Sequence, residues 1–266
     1  MALRSYLFVP GNRPDRFAKA CDTAADVVII DLEDAVPADE KPSARDTVAS
    51  WLSAAHPVYI RINAADTEWF QGDLDILQLP GVAGVVLPKA EKQSQVAMLA
   101  SRIPDDMRIV LIAETALGVW NALELASAPK VERLGFGSID FRLDTNIIGE
   151  YEELLYARSR VVLASRVAGI LSPLDGVTTA IEDANLLAAD VQMARLLGFG
   201  GKFCIHPKQV AAVNKGFRPL ESEIAWAKSV IEAVGLMGEG AIRVDGKMID
   251  RPMIEQAKKI LEIVND

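Results

Sequence analysis

Histidine and cysteine are scarce: the 266 residues hold two of each, His56 and His206, Cys21 and Cys204. Two well-separated histidines exclude a multi-histidine metal centre. The cysteines also lie far apart, one in a helix-like run and one inside an apolar strand, which fits buried free thiols and not a disulfide framework. Positive charge is in deficit, with 28 Lys and Arg against 37 Asp and Glu, a net charge of -9. That balance argues against nucleic acid or an anionic membrane as partner, and any anionic ligand must find a local basic patch. No apolar run approaches membrane-spanning length, and the chain enters its first strand with no signal peptide, so a cytoplasmic location is expected. No Gly-x-Gly-x-x-Gly follows a strand, which leaves a dinucleotide fold unsupported. Internal repeats beyond the βα alternation and low-complexity tracts are missing too. No serine or cysteine has a histidine that the sequence places beside it, so covalent catalysis is a poor fit.

Apolar residues, by contrast, are abundant at 50% of the chain, enough for one large α/β domain. They fall in short runs without polar alternation, the pattern of strands buried on both faces of a parallel sheet. The runs are Ser5 to Val9, Val27 to Asp31, Val58 to Ile62, Val82 to Leu87, two that close at Glu114 and Asp140, Gly169 to Leu171, and Lys202 to Ile205. Ser172 to Gly176 reads as a loop, Gly135-Phe136-Gly137 as close packing within the sixth strand, and Gly198 as a helix C-cap. Eight βα units in ~200 residues is the count of a TIM (β/α)8 barrel, whose chemistry sits at the carboxyl ends of the strands. An open doubly wound sheet is the alternative. The barrel is expected over residues 1–220, with a C-terminal helical extension at 221–266. Its two helices are separated by Gly235 to Arg251, long enough to act as a lid or to reach a neighbouring subunit, or to be a plain surface connection.

Polar residues collect at the predicted strand ends: Asp31, Glu33, Asp34, Arg61, Lys89, Glu114, Asp140 and Asp175. Glu114 and Asp140 end consecutive parallel strands and should share one edge of the sheet. Two hard oxygen donors side by side suit Mg²⁺, which takes one or two protein carboxylates and completes its shell with water and substrate oxygens. Strand-end acids also serve as helix caps or arginine partners. Arg61 suits a substrate carboxylate or a developing oxyanion, or else an internal salt bridge to Asp31 or Glu33. Lys89 could form a Schiff base only if desolvated, and the acids around it favour its charged form. Arg4, Arg13, Arg16, Lys19, Lys41 and Arg45 make a local basic excess that could hold phosphates or simply be a solvated face.

Seven segments together resemble one family. They are Phe8-Val-Pro-Gly-Asn-Arg-Pro-Asp-Arg-Phe17, Val28 to Val36, Arg61-Ile62-Asn63, Leu87-Pro88-Lys89-Ala90-Glu91, Glu114-Thr115-Ala116-Leu117-Gly118, Gly198 to Pro207, and Gly246-Lys247-Met248-Ile249-Asp250. In this order, over nearly the whole chain, they resemble the citrate lyase beta subunit group of the HpcH/HpaI aldolase and malyl-CoA lyase superfamily. The resemblance implies a TIM barrel, Mg²⁺ held by Glu114 and Asp140, Arg61 as substrate-binding and catalytic arginine, and Asp250 as an acid/base brought from an adjacent protomer. It also implies a homotrimer or hexamer.

The expected activity is cleavage of a 3-hydroxyacyl-CoA of citramalyl, malyl or citryl type to a keto acid and acetyl-CoA, or the reverse. Asp31, Glu33 and Asp34 are expected to bond metal-bound waters, and Arg13, Arg16, Lys41 and Arg45 to hold CoA phosphates. Alternatives are a citrate lyase subunit acting on a citryl-acyl carrier protein, a CoA-independent aldolase, and a non-catalytic keto-acid-binding protein. Ile139 stands where the family often has an acid, and Asp144-Thr145-Asn146 where it often has Asp-Leu-Gly, so the acyl pocket wall is expected to differ.

Overall fold

A strand apolar on both sides is stable only with partners over each face, which in a parallel sheet are supplied by crossover helices and by the sheet closing on itself. The computed structural model describes residues 3–237, 242–244 and 247–265. Its eight parallel strands are β1 (Ser5–Pro10), β2 (Val27–Asp31), β3 (Val58–Arg61), β4 (Val82–Leu87), β5 (Arg108–Ala113), β6 (Val131–Phe136), β7 (Leu171–Asp175) and β8 (Gly201–Cys204). Each pairs with the next, and β8 returns to β1 through Ser5↔Lys202 and Tyr6↔Phe203. The closed barrel is the expected TIM architecture and rules out the open sheet.

Rings fill the barrel interior. Tyr6 meets Tyr59 and Phe203 edge-on, with centroids 6.2 and 6.3 Å apart. Phe203 fits because β6 carries Gly135 there; a Cβ would stand 2.5 Å from its ring. At the amino ends of the strands, buried Arg133 donates to the carbonyls of Ser172 and Leu3, each at 2.6 Å. Its guanidinium lies 5.4 Å from the Tyr6 ring centroid, and the Tyr59 hydroxyl donates to Glu132 at 2.9 Å.

The seventh strand lies later than expected. Gly169, placed in it by the sequence reading, instead ends the helix Leu155–Ala168 with φ of +73°. Most of the expected loop is strand. Pro173 is tolerated because it offers only a carbonyl, which accepts from the Gly200 N–H at 2.9 Å. Gly198 does cap the helix Ala184–Leu197, at φ of +98°.

Contacts divide the chain into two compact units, Leu3–Asn214 and the residues from Lys215 onward. The second unit contains helices Glu221–Met237 and Arg251–Asn265 and an antiparallel pair, β9 (Ile242–Val244) and β10 (Lys247–Ile249). Its core is Ala227, Val230, Ile249, Ile254 and Ala257. The stretch read as a linker or lid thus contains a short antiparallel strand pair.

Candidate active site

Parallel closure puts every carboxyl end on one rim, so residues following successive strands become neighbours. Asp31 ends β2, Arg61 ends β3, Lys89 lies two residues beyond β4, and Glu114 directly follows β5. Register sets Asp31 beside Arg61 and Ala113 beside Phe136. Asp140 is not at a strand terminus, contrary to expectation. It lies in the first turn of the helix Ser138–Thr145, begun by the Phe141 N–H donating to the Gly137 carbonyl. Asp140 nevertheless lines the same cavity of about 450 Å³ as Asp31, Asp34, Arg61 and Glu114, with Phe8, Ile112, Phe136, Val177 and Phe203 supplying apolar walls.

Gly137 was not singled out in the sequence except as strand packing, yet it lies beyond β6 and against the carboxylate. A Cβ there would stand 2.4 Å from Glu114 Oε2 and 2.5 Å from its Cβ. The Glu114 side chain occupies the space that any larger residue would need. The signal was the second glycine of Gly-Phe-Gly, read as a strand residue.

Arg61 takes the internal pairing that the sequence left open. Its Nε and Nη2 donate to Asp31 at 2.7 and 2.6 Å, its Nη1 lies 3.0 Å from Glu33 Oε2, and it stacks 4.5 Å from the Phe8 ring centroid. Burial, the largest single influence, works against its charge, but Asp31, Glu33 and Glu114 together outweigh burial and raise its pKa. Lys89 has left-handed backbone, φ +49°. Its N–H donates to Glu114 Oε1 at 2.8 Å, and its ammonium donates to Glu33 and lies 3.5 Å from Asp34. Burial opposes that charge, but the hydrogen bond and charge of Glu33, then Asp34 and Glu114, raise the pKa, in keeping with a protonated lysine and not a Schiff-base one. For Glu114, burial followed by the charges of Glu33 and Asp140 pushes the carboxyl up to about 8.

Other expected site residues are occupied elsewhere. Lys41, placed among the phosphate-binding residues, is buried and donates to the carbonyls of Leu32 and Glu33 at 2.9 and 2.7 Å. It ties down the loop after β2 and has no free face for a phosphate. Arg45 is likewise turned inward, to Asp73 at 2.8 Å and the Trp69 carbonyl at 3.2 Å. Arg13 and Arg16 are exposed, with Arg13 paired to Asp15. Asp175 leaves the acid rim altogether: it is fully buried between Arg158 at 3.1 Å and Lys202 at 3.4 Å. Asp144 accepts from the Ala116 N–H at 2.7 Å. Asp250 belongs to the second unit, where it is exposed and caps the helix Arg251–Asn265 by accepting from the Met253 N–H at 3.3 Å.

The rim therefore gathers five carboxylates, Asp31, Glu33, Asp34, Glu114 and Asp140, around two cations. Glu33 Oε2 is buried and ion-paired with Arg61 Nη1 at 3.0 Å. Among the described residues no three His, Cys, Asp or Glu side chains converge as a complete metal cage. Mg²⁺ does not need one, since two carboxylates with waters and substrate oxygens satisfy it. Excess negative charge and hard oxygen donors fit that ion.

The model of the HpcH/HpaI aldolase/citrate lyase family matches residues 4–207. The chain belongs to this family. A citrate lyase subunit beta-like protein of Deinococcus radiodurans is 39% identical, over 97% of this chain and 96% of that protein. A (3S)-malyl-CoA thioesterase of Cereibacter sphaeroides is 34% identical, over 97% and 93% respectively. Among solved structures of HpcH/HpaI-like proteins, Mycobacterium tuberculosis CitE in complex with magnesium, acetoacetate and coenzyme A is similar with a TM-score of 0.89. It is 34% identical and covers 100% of this chain and 99% of that one. Among the described residues of the present chain, no helix is long and apolar enough to cross a membrane.

Proposed function

We propose that this protein is a Mg²⁺-dependent carbon–carbon lyase that cleaves a 3-hydroxyacyl-CoA to a keto acid and acetyl-CoA, or runs the reverse condensation. The observation that carries this reading is the convergence of Glu114, Asp140 and Arg61 on one cavity at the carboxyl end of the barrel. The CitE relative with bound magnesium, acetoacetate and coenzyme A supports it.

Glu114 and Asp140 would hold the ion. Bound Mg²⁺ supplies Lewis-acid polarisation of the substrate's hydroxyl and carboxylate oxygens. Arg61, fixed by Asp31 and Phe8, steadies the oxygen that becomes the keto group as the hydroxyl gives its proton to solvent water and the carbon–carbon bond breaks. The bonding pair passes to the thioester fragment, whose enolate takes a proton from Asp250; in condensation Asp250 removes it. Glu33 and Asp34 would accept hydrogen bonds from water around the ion, while Asp31, saturated by Arg61 and two backbone N–H groups, would hold Arg61 in place. Arg13 and Arg16, the exposed members of the basic group, take the CoA phosphates. In this reading the residues 221–266 form the extension that carries Asp250 to an adjacent protomer of a cytoplasmic homotrimer or hexamer.

The apolar cavity wall of Phe8, Ile112, Val177 and Phe203 favours a keto acid with an aliphatic substituent over one with a second carboxylate. The test is a panel of citramalyl-, malyl- and citryl-CoA with Mg²⁺, followed by release of free keto acid. Turnover of a soluble CoA thioester is expected, and activity confined to free hydroxy-keto acids or to acyl carrier protein would replace this reading. Asp250→Asn is expected to lower turnover by ~10²–10⁴-fold; wild-type turnover would remove Asp250 from the mechanism.

A further inference from the structure

On the magnesium reading above, we propose that Lys89 is the built-in counter-ion of the acid rim, holding its carboxylates together without metal and competing with a divalent cation for them. Among the described residues, three non-glycine residues have left-handed backbone: Lys89, Lys130 and Asn146. A side chain makes that conformation costly, and glycine would occupy it freely. Asn146 ends a helix, and Lys130 reaches the carbonyls of Ile103 and Pro104. Lys89 alone of the three turns both its ends onto carboxylates.

One end is the N–H, 2.8 Å from Glu114 Oε1. The other is the ammonium, bonded to Glu33 and 3.5 Å from Asp34. A single residue thus spans the acids that follow β2 and the acid that follows β5. Arg61 does not share this role equally, because two of its nitrogens are locked on Asp31 and its plane is stacked on Phe8. Lysine carries a point charge on a flexible stem, and the Lys89 side chain is 35% exposed. Its ammonium has a route to solvent when another cation takes over the acids.

A purely positioning lysine and a counter-ion predict opposite signs. Loss of a positioning contact loosens metal binding, whereas loss of a counter-ion leaves more uncompensated negative charge and tightens it. Lys89→Gln keeps the backbone N–H and removes the charge; Lys89→Arg restores the charge. Calorimetric titration of the full chain with MgCl₂ is expected to give a dissociation constant about tenfold lower for Lys89→Gln, on the order of one partly screened charge interaction. Lys89→Arg should match wild type. Metal-free Lys89→Gln should also melt lower, with a larger rise on adding Mg²⁺. Unchanged or weaker Mg²⁺ binding by folded Lys89→Gln overturns the proposal.

If Lys89→Gln alone does not fold, the pair Lys89→Gln/Glu33→Gln removes one charge of each sign. It should bind Mg²⁺ as wild type does, while Glu33→Gln alone binds more weakly; a pair that binds no better than Glu33→Gln alone overturns the proposal. A wild-type chain that binds no Mg²⁺ fails differently, by removing the magnesium reading itself.

Discussion

The two ends of one barrel treat buried charge in opposite ways. At the amino end, Arg133 donates to two fixed carbonyls and rests on Tyr6, while the Tyr59 hydroxyl satisfies Glu132. At the carboxyl end, five carboxylates face two cations, Arg61 and Lys89. The first arrangement is complete within the protein and serves stability. The second carries more negative than positive charge. Burial alone does not distinguish a lock from a site; the balance of donors, acceptors and charge does.

Substitutions at the two ends should therefore separate function from stability. The largest effect is expected for Glu114→Gln, which removes one of the two carboxylates proposed to hold Mg²⁺. Turnover should fall by about 10³-fold or more, since a bound metal contributes several kcal/mol of transition-state stabilisation. Its metal-free melting temperature should hold or rise, because one member of a crowded acid cluster is neutralised. Unchanged turnover in excess chelator would refute the metal assignment at this end.

Arg133→Met tests the other end. It strands two buried carbonyls and should cost about 3–5 kcal/mol in urea unfolding, with the Mg²⁺ dissociation constant unchanged. A large change in metal affinity would break the separation. Gly137→Ala sharpens it: the fold should persist, but the added Cβ meets Glu114 and should weaken Mg²⁺ binding ~10–100-fold by titration, as misplaced supporting contacts do.

The last test is of pH dependence. Burial and then neighbouring acids raise the Glu114 carboxyl to about 8 from its ordinary value of 4.5. The folded protein thus holds this proton more tightly than the unfolded chain. The resulting stabilisation is full below pH about 4.5 and is lost as pH rises through about 8. Metal-free melting temperature should carry a downward component across that window, removed in Glu114→Gln and suppressed by saturating Mg²⁺. A Glu114→Gln profile parallel to wild type would assign the slope to other groups.

Much of this was legible along the chain. Eight short apolar runs implied a parallel sheet covered on both faces, and their count of eight favoured closure into a barrel over an open sheet. Glu114 and Arg61 were readable as rim residues because each falls where an apolar run stops. Pro173 lies inside β7, in the stretch read as a loop, because the strand needs only its carbonyl there. Asp140 was misplaced by one structural step, from strand end to helix turn, because an apolar run cannot mark where a helix begins.

The sequence by itself determined which residues are chemically capable: hard acids, a forked cation, and the strand periodicity that delivers them to one edge. Only tertiary structure decided which of them are spent. Lys41, Arg45 and Asp175 are ordinary charged residues in the chain, but folding consumes them in contacts with Leu32, Glu33, Asp73, Arg158 and Lys202. Lys89 and Gly137 acquire their importance the same way, one through a left-handed turn and the other through an absent side chain. The reason is physical: charge is a property of a residue, but whether that charge is already satisfied depends on atoms brought near it from distant parts of the chain.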